Sequence, residues 1–193
     1  MALYKAEQEK KKDLERTRRL EDEARQKRLA ELRKGGRPAS MFGIPYEEAV
    51  AWGSTIIPGV PDLVTYSCAF IDSSKYDEEG LFRLSPMKTE LDSLCDKFDR
   101  GETPPPFDSI NDINIVSGML KKFIRELPRS PFLELKRTPE DDSPRALFEA
   151  LPLDSRHFVQ LLFYIFHKVA LNKDTTKMSY SNLMIVTPTL IPE

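Results

Sequence analysis

The segment from Glu78 to Ser85 holds a single arginine among apolar residues. Gly80 permits a tight bend there. Three apolar residues of the segment are expected to anchor it to a core, namely Leu81, Phe82 and Leu84. Arg83 stands between these anchors, and its guanidinium group stays protonated and presents a planar fork of N–H donors. Arg83 is therefore either an ordinary surface arginine or a functional cation that faces negative charge.

Lys121 and Arg125 form a second candidate site. They are four residues apart, which places them about 40° apart around a helix and therefore on one side of it. Gly118 lies one turn earlier on the same edge and would let another group approach closely. This pattern is typical either of the solvated face of an amphipathic helix or of a small cationic surface that a partner contacts.

The sequence lacks the residue sets that support catalysis by a chain on its own. It contains no glycine-rich phosphate loop, no His-Glu-x-x-His, no Cys/His cluster and no Gly-x-Ser-x-Gly. Cys68 and Cys95 have no Cys-x-x-Cys partner and are expected to be reduced, buried thiols. We therefore expect no metal and no cofactor of its own, and neither a hydrolase nor a kinase.

Composition excludes several other classes of protein. The 193 residues are 31% charged and 40% hydrophobic, with a formal net charge of −2. This balance argues against a polycationic nucleic-acid binder and against a wholly disordered chain. No stretch approaches the roughly 18 apolar residues of a membrane span, and the charged N-terminus does not resemble a signal peptide. These features together predict a cytoplasmic protein.

Charge is unevenly distributed along the chain. Residues 1–36 carry +4 and the remainder carries −6. Strong helix formers fill the first part, and glutamates repeatedly precede bases by four residues, so a long helix over 5–34 is predicted. Its leucines follow no heptad. The sequence leaves three interpretations open, which are a solvated helix, a helix that binds a partner helix, and a peripheral contact with an acidic membrane surface.

The remainder is predicted to be all-α. Apolar residues recur at helical spacing, and no run alternates with the period of a strand. The predicted helices cover 45–51, 62–71, 86–98, 112–127, 154–171 and 179–186, with Ser85 as the N-cap of the third. The third is expected to bury Met87, Leu91, Leu94 (or Cys95) and Phe98. The fourth is expected to carry a broad apolar face made of Val116, Met119, Leu120, Phe123, Ile124 and Leu127. We therefore expect a charged helical extension over 1–36, a linker over 37–40 and one helical domain over 41–193.

Several segments of that domain resemble a known family. Residues 79–85, Glu-Gly-Leu-Phe-Arg-Leu-Ser, strongly resemble the arginine-finger motif of the RhoGAP domain, found in Rho-family GTPase-activating proteins. Further segments resemble other parts of that domain and occur in the same order. They are 42–48, Ile57-Pro58, Cys68, 120–128, Pro131, Leu151-Pro152, 178–183, Pro188 and Leu190. The resemblance covers about 41–193.

The resemblance implies an all-α, RhoGAP-like helical bundle that binds a Rho-family small GTPase and stimulates its hydrolysis of GTP. Arg83 would be the catalytic arginine supplied in trans, and Gly80 would provide the bend of its loop. Lys121 and Arg125 would hold that loop or contact the GTPase. The GTP and Mg²⁺ would belong to the partner, which is the enzyme.

Two further residues receive a role through the resemblance. Asn182 would form hydrogen bonds near the same switch surface of the GTPase, and Gly118 would keep that face open.

An alternative function is a RhoGAP-like module that binds a GTPase or another partner without stimulating hydrolysis. A third is a helical scaffold whose N-terminal helix is the functional part.

The sequence also departs from the family pattern. Pro86 stands where a glycine is more usual, and the sequence stops at Glu193 where the domain usually continues into a further helix. We expect either a truncated end or a domain without that helix.

Overall fold

The computed structural model describes residues 2–53, 56–74, 76–102, 107, 110–129, 145, 148–149 and 151–186. The chain divides into two compact units, Met1–Arg37 and Pro38–Glu193. No helix in the described ranges is long and apolar enough to cross a membrane.

The first unit is built on helix α1 (Ala2–Lys34). Ion pairs between successive turns accompany the strong helix formers, such as the one that joins Lys34 Nζ to Glu31 Oε1 at 2.6 Å. The helix ends before Gly36, whose φ of 83° is left-handed and does not continue a helix.

All the regular elements in the described part of the second unit are helices, and they are joined by turns and loops. Its helices are α2 (Tyr46–Ala51), α3 (Asp62–Ser73), α4 (Lys88–Asp99), α5 (Ile113–Glu126), α6 (Leu153–Leu171), α7 (Lys173–Thr176) and α8 (Tyr180–Val186). No strand occurs among the described residues, and the predicted all-α class is confirmed.

Helix α5 packs against α3 and α4. The apolar face predicted for it is buried along its whole length, at Val116, Met119, Leu120, Phe123, Ile124 and Leu127. At its start the carboxylate of Asp112 accepts the N–H of Asn114 at 2.8 Å, which satisfies one of the free N–H groups of the first turn. A capped helix with a fully buried face is a firm support for the polar side chains on its other side.

Helix α6 packs against α3 and α8 and contributes aromatic rings to the core. Phe158 lies 5.4 Å from the ring of Tyr46, whose hydroxyl donates to the carbonyl of Gly59 at 2.8 Å. The sequence of α6 is nearly apolar all round, but Phe163 and Leu171 are exposed. Only one side of this helix therefore belongs to the core.

The start of α4 differs from the prediction. Ser85 was expected to be its N-cap, but the helix begins at Lys88, and Met87 occupies the N-cap position without a side-chain cap. Met87 was also expected to be buried and is 66% exposed. The physical reason is a tertiary contact of Pro86, described below, which holds this segment outside the helix.

Some predictions lie outside the described residues. These are the resemblances at Pro131, Pro188 and Leu190.

Candidate functional site

The loop over residues 80–84 connects the segment after α3 to α4 and presents Arg83. Gly80 opens it with a φ of 76°, in the left-handed region that suits glycine. The Gly80 N–H donates to the carbonyl of Thr176 at 2.7 Å. The Gly80 carbonyl accepts from the N–H groups of Arg83, at 2.8 Å, and Leu84, at 2.9 Å. The 80–84 loop is thus a closed, hydrogen-bonded turn.

Two of the three predicted anchors hold the loop to the core. Leu81 and Phe82 are almost fully buried, and the Phe82 ring meets that of Phe166 edge-on at 5.0 Å. Phe82 has a φ of 70°, which is unfavourable for a residue with a side chain and persists because burial of the ring compensates. Leu84 is not an anchor, because its side chain is 43% exposed and lies over Gly80 instead.

Arg83 lies between these groups and is exposed. Its backbone is fixed by the hydrogen bond to Gly80 and by the burial of Phe82. Its side chain passes close to Gly80, where an added Cβ would lie 3.5 Å from Nη2. The arrangement holds the backbone of one arginine firmly and leaves its charged end accessible.

Lys121 of α5 contacts the 80–84 loop directly. Its Nζ donates to the carbonyl of Phe82 at 2.8 Å and to that of Leu84 at 2.9 Å, so it binds the backbone on both sides of Arg83. Burial lowers the pKa of Lys121, and the nearby positive charge of Arg125 lowers it further. The lysine is therefore placed at an electrostatic cost in order to hold the loop.

Arg125 is exposed one turn further along α5. Its charge is close enough to Lys121 to affect the pKa of that residue. Arg125 and Arg83 therefore both contribute accessible positive charge around the lysine that joins α5 to the loop.

Gly118 does not keep an open face, contrary to our expectation. It is buried, and a Cβ added there would lie 2.7 Å from Cγ and 2.9 Å from Cδ of Pro86. Pro86 of the same chain therefore occupies the space that we assigned to a partner.

The side chain of Asn182 in α8 contacts a turn of the same chain. Its side-chain amide donates to the carbonyl of Lys177 at 2.9 Å, and Lys177 has a left-handed φ of 55°. The neighbouring Thr176 is buried, and its carbonyl receives the N–H of Gly80. Asn182 is thereby connected through this turn to the start of the 80–84 loop.

Sequence reasoning missed Thr176 and Pro86. Thr176 acts through its backbone carbonyl, which no residue type signals. Pro86 was noted only as a departure from a family pattern. In the described part of the chain, no group of three or more His, Cys, Asp or Glu side chains could hold a metal ion.

Comparison with known proteins identifies the family. The family model described as the RhoGAP domain matches residues 61–193. The chain belongs to the RhoGAP domain family. Proteins of this family activate GTP hydrolysis by partner GTPases, and the resemblance seen in the sequence is confirmed.

Individual RhoGAP relatives cover most of this chain. The Rho GTPase-activating protein gacZ of Dictyostelium discoideum is 32% identical over 78% of the chain and 16% of its own length. The human Rho GTPase-activating protein 25 is 32% identical over 80% of the chain and 26% of its own length. The chain thus corresponds to about a quarter or less of each of these relatives.

A solved RhoGAP structure supports the fold. The crystal structure of human Rho GTPase activating protein 15 superposes with a TM-score of 0.68 and 25% sequence identity. The match covers 83% of this chain and 82% of the other. The predicted helical bundle is confirmed.

Proposed function

We propose that this chain stimulates GTP hydrolysis by a Rho-family small GTPase, with Arg83 supplied in trans to the active site of the partner. During hydrolysis a water molecule attacks the γ-phosphate and GDP leaves, so negative charge builds on the phosphate oxygens. A guanidinium fork in a site from which bulk water is excluded stabilises that charge. Such an arginine accelerates hydrolysis by about 10³–10⁵ in related systems, which corresponds to about 4–7 kcal/mol. GTP and Mg²⁺ are substrate and ion of the partner, and this chain supplies only side chains.

The observation that carries the proposal is the contrast between the backbone and the side chain of Arg83. Phe82 is buried, and Lys121 donates to the carbonyls of Phe82 and Leu84, while Arg83 as a residue is exposed. A catalytic group must be held to a fraction of an ångström when it acts, and a fixed backbone restricts where the charge can go. An ordinary surface arginine requires no such support.

The surrounding cations and amides have separate roles in this proposal. Lys121 positions the loop from α5. Arg125 is accessible on the same helix and contacts acidic or carbonyl groups of the GTPase switch segments. Asn182 holds the Lys177 turn and also contacts the switch surface of the GTPase.

The experiment compares Arg83→Ala with the wild type in single-turnover GTP hydrolysis, using a panel of Rho-family GTPases. We expect the variant to lose about 10³-fold of the stimulated rate. Affinity for the GTPase bound to a non-hydrolysable GTP analogue should change less than about threefold, because most of the interface is intact. Arg83→Lys should restore little, because an ammonium group lacks the planar fork.

A matched control is Arg100→Ala. Arg100 is also exposed, forms an ion pair with Glu102 at 3.2 Å, and lies at the opposite end of α4, about 18 Å along the helix. It should leave the rate unchanged. Equal stimulation by the wild type and Arg83→Ala would overturn the assignment, and absence of stimulation by the wild type across the panel would favour a module that only binds.

A further inference from the structure

Pro86 and Gly118 form a close contact on the C-terminal side of the 80–84 loop. Gly118 lies in the middle of α5, and Pro86 lies two residues beyond Leu84. A Cβ at position 118 would come within 2.7 Å of Cγ and 2.9 Å of Cδ of Pro86, closer than real side-chain contacts. The proline ring therefore sits directly against the backbone of α5, in a place that only glycine leaves free.

This contact is stiff on both sides. Helix α5 is capped by Asp112 and buried along its apolar face, so Gly118 is part of a fixed surface. The ring of Pro86 is bonded twice to its own backbone and cannot rotate away as a flexible side chain can. A displacement of the ring is therefore passed to the backbone that leads back to Leu84.

The same helix holds the loop at a second point. Lys121 is three residues after Gly118, which places the two residues as neighbours on one face of α5. Lys121 Nζ binds the carbonyl of Leu84 at 2.9 Å, and Gly118 receives Pro86. Two adjacent attachments to one rigid helix fix both the position and the direction of the chain that follows Arg83.

We propose that Pro86 and Gly118 are positioning residues for Arg83, and this inference rests on the function proposed above. Neither residue touches the nucleotide. Their contact sets the distance between α5 and the backbone after Arg83, and Lys121 reaches the loop carbonyls only at that distance. A side chain at position 118 displaces Pro86 and with it the arginine.

The experiment uses Gly118→Ala, Pro86→Ala and the double variant, each in the full chain. Gly118→Ala introduces the Cβ that meets Pro86, whereas Pro86→Ala removes the Cγ and Cδ atoms that it would meet. Alanine is also the better helix former, so α5 itself is not weakened by the change. We expect Gly118→Ala to lower the saturated single-turnover rate at least tenfold, and the double variant to recover to the rate of Pro86→Ala.

The affinity for the GTPase bound to a non-hydrolysable analogue should change less than about threefold in all three variants. A rate loss without an affinity loss separates a misplaced arginine from a damaged interface. Thermal unfolding of each variant checks that the fold is retained. Rescue by the second substitution shows that the defect acts through the contact with Pro86, because a defect unrelated to Pro86 would not be rescued.

A second readout does not need the GTPase. The N–H groups of Arg83 and Leu84 donate to Gly80, so their hydrogen exchange reports the order of the loop in the free protein. Exchange should become at least severalfold faster in Gly118→Ala and return toward the Pro86→Ala value in the double variant. Unchanged exchange in Gly118→Ala, or no recovery in the double variant, would overturn the inference.

The two proposals fail separately. If the wild type stimulates no GTPase, the proposed function is wrong, and hydrogen exchange alone decides whether Pro86 and Gly118 order the loop. If the wild type is active and Arg83→Ala is not, while Gly118→Ala retains full rate, the positioning role is wrong and the proposed function stands.

Discussion

At the scale of single residues, Lys121 connects helix α5 to the backbone of the 80–84 loop. Its two hydrogen bonds reach carbonyl groups 39 and 37 residues earlier in the sequence. Burial and the charge of Arg125 lower its pKa, so its placement is unfavourable for a lysine and is compensated by these hydrogen bonds.

We expect Lys121→Met to reduce stimulated hydrolysis by about 10–100-fold, because it removes two charge-assisted hydrogen bonds while keeping the apolar part of the side chain. The measurement is the single-turnover rate at saturating concentration of this chain. Lys122→Met is the matched control, because Lys122 pairs with Glu126 at 2.6 Å and its Nζ lies over the ring of Phe42. Similar losses in both variants would contradict a specific role for Lys121.

Gly80 allows conformation and contact to be separated. Gly80 and Gly43 have similar left-handed φ values of 76° and 73°, but a Cβ at Gly43 meets nothing within 4 Å, whereas one at Gly80 meets Leu84. Each change to alanine should lower the free energy of unfolding by about 1–2 kcal/mol, since both incur the left-handed strain. Only Gly80→Ala should also reduce stimulated hydrolysis. Denaturant unfolding and the hydrolysis assay together test this, and equal hydrolysis by both variants would count against it.

At the scale of elements, the starts of α4 and α5 show why local signals succeed or fail. Asp112 is of a residue type that favours the N-cap, and its carboxylate caps α5 by accepting the N–H of Asn114. Ser85 followed by proline is an equally good local signal for α4, yet the helix begins at Lys88. The contact between Pro86 and Gly118 keeps Pro86 and Met87 outside the helix. A tertiary contact therefore overrides the local preference for a helix start at Ser85.

Asp112→Ala should therefore lower the free energy of unfolding by about 1 kcal/mol through loss of the cap. Ser85→Ala should change it by less than about 0.5 kcal/mol, as expected for an exposed side chain without a capping role. Urea unfolding of both variants provides the comparison. A larger loss for Ser85→Ala than for Asp112→Ala would contradict these helix boundaries.

At the scale of the whole molecule, the residues of the proposed site all lie in the unit Pro38–Glu193. A chain that begins at Pro38 should therefore stimulate hydrolysis in solution to within about threefold of the full chain. If α1 contacts acidic membranes, which is one of the three interpretations of its sequence, only the full chain should bind vesicles containing anionic lipid, more weakly as salt rises. Equal vesicle binding by both chains would remove that role from α1.

The two cysteines report on the integrity of the core. Both are buried, and burial raises the pKa of each thiol to about 12. At pH 8 only about one thiol in 10⁴ is then ionised in the folded state, compared with about a fifth or more when unfolded. A thiol reagent at pH 8 should therefore react slowly with the folded chain and at once in denaturant. Rapid reaction of the folded chain would show that the core opens.

The sequence determined the helical class, the buried face of α5 and the motif that carries Arg83. These depend on local periodicity and on residue types within a few positions, which can be read without knowing the fold. The predicted burial of Leu84 and Met87 was wrong because apolar character alone does not say which side of a loop faces the core.

Only the tertiary structure decided how the site is held together. Thr176 binds Gly80, Lys121 binds the carbonyls around Arg83, and Pro86 covers Gly118. Each of these contacts joins residues that are more than 30 positions apart. Several also use backbone atoms, which are the same for every residue type. No local pattern encodes such contacts, since they arise only when the buried helices bring distant parts of the chain together.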